Sequence, residues 1–146
     1  MMKKIILIVI CCLLFFIGCT NNTSNDTKRS EANVYNIKVT INSKTYELKL
    51  ENNNTVEEFI ELLPQAFTMN DLNGNEKYVY MDKTLITNVY SPKYIEKGDV
   101  MLYGNNCLVI FYKSFDTSYS YTKIGHIDNL ENLEDGRINV KFEKNA

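Results

Sequence analysis

Four groups of residues in this chain of 146 have types and spacings that could do chemistry. Glu57, Glu58 and Glu61 crowd one short segment, where carboxylates could work as acid and base or hold a cation. Asp71, Asn73 and Asn75 alternate like the oxygen ligands of a calcium loop. Cys107 offers a nucleophile and His126, the single histidine, a candidate base. Tyrosines at 78, 80, 103, 112, 119 and 121 offer apolar rings with polar tips, a chemistry of recognition more than of bond making.

Three of these groups have a plainer structural reading. The glutamates fall on the solvent face of a short amphipathic helix, where acidic residues near the N-terminus favour the helix dipole. The Asp71 segment lacks the preceding helix, the correctly placed glycine and the distal bidentate glutamate of a calcium loop. Cys107 sits in the apolar run CLVIFY without a basic neighbour to lower its pKa, so a buried hydrophobe is expected. His126 has no cysteine or serine nucleophile and no metal-ligand partner beside it in sequence, which suits a histidine on a surface strand. No phosphate loop, zinc spacing or triad is present, so neither a metal nor a cofactor is expected.

The elements that must position the tyrosines are mostly strands. Tyr35, Ile37, Val39 and Ile41 alternate with polar residues, Asn42 to Lys44 turn the chain, and Tyr46, Leu48 and Leu50 alternate again, which predicts a hairpin with one wet face. Thr55 and Glu58 fit a capping box, with Asn54 as an alternative cap, for a helix over 56–63 that Pro64 ends. Strands are expected at 67–71 and 77–81 around Asn73 and Gly74, and an edge element at 84–90. Val100 to Tyr103 and Cys107 to Tyr112 flank Gly104, Asn105 and Asn106 as a second hairpin. CLVIFY has almost no polar interruption and reads as a central strand covered on both sides. Strands at 123–127 and through Ile138, Val140 and Phe142 close the chain, with Leu130 and Leu133 packing a short turn between them.

The first residues are of another kind. Lys3 and Lys4 precede an apolar run from Ile5 to Ile17, then Gly18 and Cys19, the pattern of a secretory signal. FIGC at 16–19 resembles the bacterial lipobox, which implies cleavage before Cys19 and lipidation of its sulfur. The competing reading is an ordinary signal peptide or a short anchor helix. Two acyl chains anchor stably where one is marginal. The polar stretch that follows has too little apolar surface to order itself and would hold a domain about 20 Å from the bilayer. The expected organisation is a lipoprotein signal at 1–18, a tether at 19–33 and one domain at 34–146. Loss of Lys3 and Lys4 with the signal leaves 14 of 16 basic residues against 18 acidic ones, a balance that argues against nucleic acid.

The segments LLP at 62–64, FTMNDLNGNEKYVY, Gly98 with Asp99 before a strand, CLVIFY, and IGHI at 124–127 together resemble the bacterial cyclophilin-like domain family. The resemblance covers nearly all of 34–142. It implies a mainly β fold, a closed antiparallel barrel with one short capping helix. It also implies a peptide groove, whose expected members are Tyr78, Tyr80, Leu108, Ile110, Tyr119 and Tyr121, with Tyr121 near the position where true cyclophilins carry a pocket histidine. True cyclophilins stabilise the twisting X-Pro nitrogen with an arginine beside a phenylalanine on an early strand. Here Phe67 is followed by Thr68, Met69 and Asn70.

The expectation is therefore a monomeric, lipid-anchored protein at the outer face of the cytoplasmic membrane that binds exported peptides or another ligand without efficient catalysis. An extracytoplasmic prolyl isomerase is the alternative, which a cation reaching the groove, such as Lys77 or Lys113, would favour. A passive accessory domain, its groove filled by its own side chains, is a third.

Overall fold

Period-two alternation of apolar residues dictates a barrel wall here. The computed structural model describes residues 36–145. The signal at 1–18, Cys19, the tether at 19–33 and Tyr35 lie outside them. Strands β1 (Ile37–Ile41), β2 (Lys44–Leu50), β3 (Gln65–Leu72), β4 (Glu76–Tyr80), β6 (Asp99–Tyr103), β7 (Cys107–Phe111), β9 (Thr122–Ile127) and β10 (Ile138–Lys144) close into an antiparallel barrel. Its order is β1-β10-β3-β4-β7-β6-β9-β2. Two short strands, β5 (Tyr94–Ile95) and β8 (Phe115–Asp116), pair outside it.

The interior is filled by one residue in two from each strand. Ile37, Val39, Leu102, Leu108, Ile110, Ile138 and Phe142 are almost entirely removed from water. On β9 the alternation is broken by a bulge: Val100 pairs with Gly125 and Met101 with Lys123, so Ile124 and Ile127 both face the core although three residues apart.

Helix α1 (Asn54–Glu61) closes one end, burying Val56 and Phe59, with the Phe59 ring edge-on to Phe142 at 5.5 Å. It starts earlier than the capping-box reading places it. Asn53 is the cap, its Oδ1 accepting from the Val56 N–H at 3.0 Å while its Nδ2 donates to the Lys123 carbonyl at 2.9 Å. An asparagine that caps the helix and ties it to β9 outcompetes Thr55, whose hydroxyl is buried without a partner. Glu58 accepts instead from the Ile86 N–H at 2.7 Å.

The turn between β3 and β4 has positive φ at both Asn73 and Gly74, as a type I′ hairpin requires, and Asp71 caps it by accepting from the Gly74 N–H. Asp71 thus serves a turn and an ion pair. The edge element expected at 84–90 does not form a strand. That segment is held by buried Leu85, by the Ile86 and Asn88 N–H groups donating to the side chains of Glu58 and Thr122, and by one bridge between Tyr90 and Tyr121.

Strands β6 and β7 carry a second apolar layer on their outer face. Ile95, Met101, Cys107, Val109, Phe111 and Tyr121 form it, and Phe115 packs against it. CLVIF is therefore covered on both faces.

Candidate functional site

The outer layer is incomplete along one side, and there the surface sinks into a concavity of about 300 Å³. Its floor is Cys107 and Val109 of β7. Neighbouring β4 supplies one wall: Tyr78 pairs with Val109 and Tyr80 with Cys107, so Glu76, Tyr78 and Tyr80 project from the same face at two-residue intervals. The opposite wall is Tyr103 at the end of β6, with Tyr119 and Tyr121 from the segment before β9.

The rings are ordered by one another. Tyr121, almost fully buried, stands at 90° to Phe111 with centroids 5.5 Å apart, and Tyr103 lies 5.7 Å from Tyr121. Tyr103 meets Tyr119 edge-on at 6.1 Å, and Tyr78 meets Tyr80 edge-on at 6.0 Å. Tyr80 and Tyr119 are more than half exposed, so the rim is wet while the floor is dry.

Of the six expected groove residues, Tyr78, Tyr80, Tyr119 and Tyr121 line this concavity. Leu108 and Ile110 do not: both are fully buried in the barrel interior. The reason is register. Successive side chains of a strand point to opposite faces, and the face of β7 that meets the groove is that of Cys107 and Val109. Of the other two tyrosines, Tyr103 lines the concavity as expected, whereas Tyr112 is buried in the core; Leu72, Asn73 and Glu76 complete the site and were not expected. Glu76 was signalled by its spacing, two and four residues before Tyr78 and Tyr80.

The electrostatics of the groove are negative. Loss of water pushes the half-buried Glu76 carboxyl above its usual range, and the nearby Asp71 carboxylate adds to the effect. Among the described residues no cation pairs with Glu76, and no basic side chain lines the groove. Burial, with Glu76 adding to it, pushes the Cys107 thiol up to about 11, which leaves it protonated and unreactive at neutral pH.

The two lysines that could have reached the groove are placed elsewhere. Lys77 faces the barrel interior, fully buried. Its Nζ donates to Asp71 Oδ2 at 2.5 Å and to the carbonyls of Glu134 at 2.5 Å and Gly136 at 2.8 Å, and it lies 4.9 Å from the Tyr112 ring centroid. Lys113 stacks on the Tyr112 ring, 5.8 Å from its centroid.

A second polar cluster lies between β6 and β9. Glu96, Asp99 and His126 bring one ligand atom each within 4.8 Å of the others. His126 Nδ1 is 2.9 Å from Asp99 Oδ1, so the histidine has a carboxylate partner that its sequence neighbours do not reveal. Lys123 places its Nζ 3.3 Å from the same oxygen, and the Glu96 N–H donates to Oδ2 at 3.0 Å. Asp99 is thus neutralised and bonded within the protein, an arrangement that ties β6 to β9.

The family model described as the cyclophilin-like family matches residues 39–143 of the chain. No curated protein and no solved structure gives a significant match.

Proposed function

Because the chain belongs to the cyclophilin-like family, we infer that its barrel is a peptide-binding module, carried at the outer face of the cytoplasmic membrane by a lipid on Cys19. The observation that carries the binding reading is the tyrosine groove, dry at the floor, wet at the rim and open to a chain lying across it. Tyrosine gives large apolar contact with a hydrogen-bonding tip at low cost in side-chain entropy, which suits sequence-tolerant capture of extended polypeptide.

The same groove argues for binding without efficient isomerisation. Rotation about an X-Pro bond crosses a barrier of roughly 18–20 kcal/mol because amide resonance is lost. Lowering it requires a donor, preferably cationic, at the pyramidalising nitrogen. The groove offers phenolic hydroxyls and a carboxylate, and Lys77 is committed to Asp71 on the other side of the wall.

The test is cis to trans conversion of an X-Pro tetrapeptide by the purified chain, alongside an active cyclophilin, with groove resonances followed by NMR in the same samples. Shifts at Tyr78, Tyr80 and Tyr121 at an unchanged conversion rate are expected. A rate well above the uncatalysed one that is lost in Tyr121→Ala would establish the isomerase alternative.

A further inference from the structure

We propose that the groove selects a positively charged side chain, the ammonium of a lysine or the guanidinium of an arginine, presented by a partner polypeptide. This rests on the peptide-binding reading above and names the chemistry of the ligand. Three features of the site converge on it.

The first is the density of aromatic rings. Tyr78 and Tyr80 on one wall and Tyr103, Tyr119 and Tyr121 on the other enclose a space of about 300 Å³. Aromatic faces are negative and edges positive, so a cation that meets the faces of these rings is attracted, as in aromatic cages for ammonium groups. The volume lies at the lower end of ligand pockets, which suits one side chain with its flanking backbone.

The second is Glu76. It opens the wall that Tyr78 and Tyr80 continue, and its carboxylate is half-buried with no cation paired to it among the described residues. The charge that acts on it from within the fold is another carboxylate, Asp71. A half-buried carboxylate facing apolar rings and a like charge is costly to maintain, and an incoming cation removes that cost.

The third is that no basic side chain among the described residues lines the groove. Lys77 points into the barrel, Lys113 rests on Tyr112, and Lys123 pairs with Asp99. A cationic ligand supplies the charge that these residues leave out.

The experiment uses the full chain in uncharged detergent and four capped pentapeptides of alanine and glycine that differ only at the centre: lysine, arginine, glutamine or norleucine. Binding is measured by calorimetry and by NMR shifts of the groove tyrosines at low ionic strength. The lysine and arginine peptides are expected to bind about tenfold or more tightly than the neutral pair, the effect of a desolvated cation–π contact joined to one charge pair. In Glu76→Gln that preference falls below about threefold while the fold is kept, and Tyr119→Ala weakens the cationic peptides more than the neutral ones. Equal binding of all four peptides, with groove shifts, overturns the charge selection and leaves the peptide-binding reading standing. A cation preference that survives in Glu76→Gln overturns the assignment to this groove. No binding of any of the four, nor of an X-Pro peptide, overturns both.

Discussion

Lys77 is fully buried in the barrel with its Nζ 2.5 Å from Asp71 Oδ2, and that carboxylate also accepts the Tyr112 hydroxyl at 2.7 Å. The pair joins the β3–β4 hairpin to the 134–136 loop, whose carbonyls take the other two ammonium protons. Removing one partner of a buried pair leaves a charge uncompensated, which costs about 3–5 kcal/mol, whereas removing both is often close to neutral. Asp71→Asn is therefore expected to destabilise strongly, and Lys77→Met with Asp71→Leu to recover most of the loss. Urea midpoints of the single and double variants measure it. Additive losses would show that the two residues act independently.

The same carboxyl sets an acid limit. Burial pushes the Asp71 carboxyl up, but hydrogen bonds from Lys77, Tyr112 and the Gly74 N–H together outweigh it and hold it below the usual range. A carboxyl depressed by folding stabilises the native state above its unfolded pKa of about 3.9, and the contribution is lost as pH falls through the folded value. Below about pH 4 the native protein should lose stability more steeply than Asp71→Asn. Parallel acid limbs would mean that Asp71 is not linked to folding.

Glu76 has the opposite sign. Its folded pKa is raised, so the proton favours the native state, and stability falls as pH rises through that folded value. Where the carboxylate is ionised it therefore costs stability, and Glu76→Gln should raise stability modestly there, the effect being reduced by solvent screening. The gain should vanish below about pH 4, where wild type is also neutral. A stabilised variant that has lost cation selectivity is the pattern of a residue kept for binding.

How legible all this was depends on local contrast in the sequence. β1 and β10 could be phased from Ile37, Val39 and Ile41 and from Ile138, Val140 and Phe142, because polar residues between them mark the wet face. β7 could be located but not phased: Cys107 to Phe111 are buried on both faces, so nothing marks which residues turn inward. That is why Leu108 and Ile110 stood in for Cys107 and Val109. Lys77 was hidden for a different reason. A lysine in a strand reads as solvent-facing, and two of the three groups that satisfy it, the Glu134 and Gly136 carbonyls, are more than fifty residues away. The second apolar layer, by contrast, was announced by CLVIFY itself, a run too apolar for a strand with one wet face.

Cys107 gives a test of the groove floor. With its pKa pushed up to about 11, the thiol should resist iodoacetamide at pH 8 in the native protein and react fully in denaturant. Peptide mapping by mass spectrometry separates it from the N-terminal cysteines. Rapid native labelling would mean that the floor is open and ionised, and the dry groove would have to be abandoned.

Membrane attachment through Cys19 predicts a mature N-terminus at that residue and incorporation of labelled palmitate. Cys19→Ala should abolish both lipidation and cleavage at that site. A correctly cleaved, unacylated wild-type protein would identify an ordinary secretory signal instead.

Gly98 marks where three parts of the barrel meet too closely for a side chain. Its N–H donates to the Phe111 carbonyl of β7 and its carbonyl accepts from the Ile127 N–H of β9, both at 2.8 Å. A Cβ there would lie 2.3 Å from the Ile127 carbonyl oxygen and 3.1 Å from the His126 ring. The residue also sits at φ +103, where a side chain is strained whatever the space around it. Steric and backbone terms act together, so Gly98→Ala should cost on the order of 3 kcal/mol or more. Gly104 is the control. It has φ +61 but nothing within 4 Å of the added methyl, so Gly104→Ala carries the backbone term alone, about 1 kcal/mol. Thermal and urea midpoints of the two variants should separate clearly, and His126 resonances should move in Gly98→Ala but not in Gly104→Ala. Similar midpoints would show that β9 can retreat from Gly98, and the close approach would then contribute little to closing the barrel.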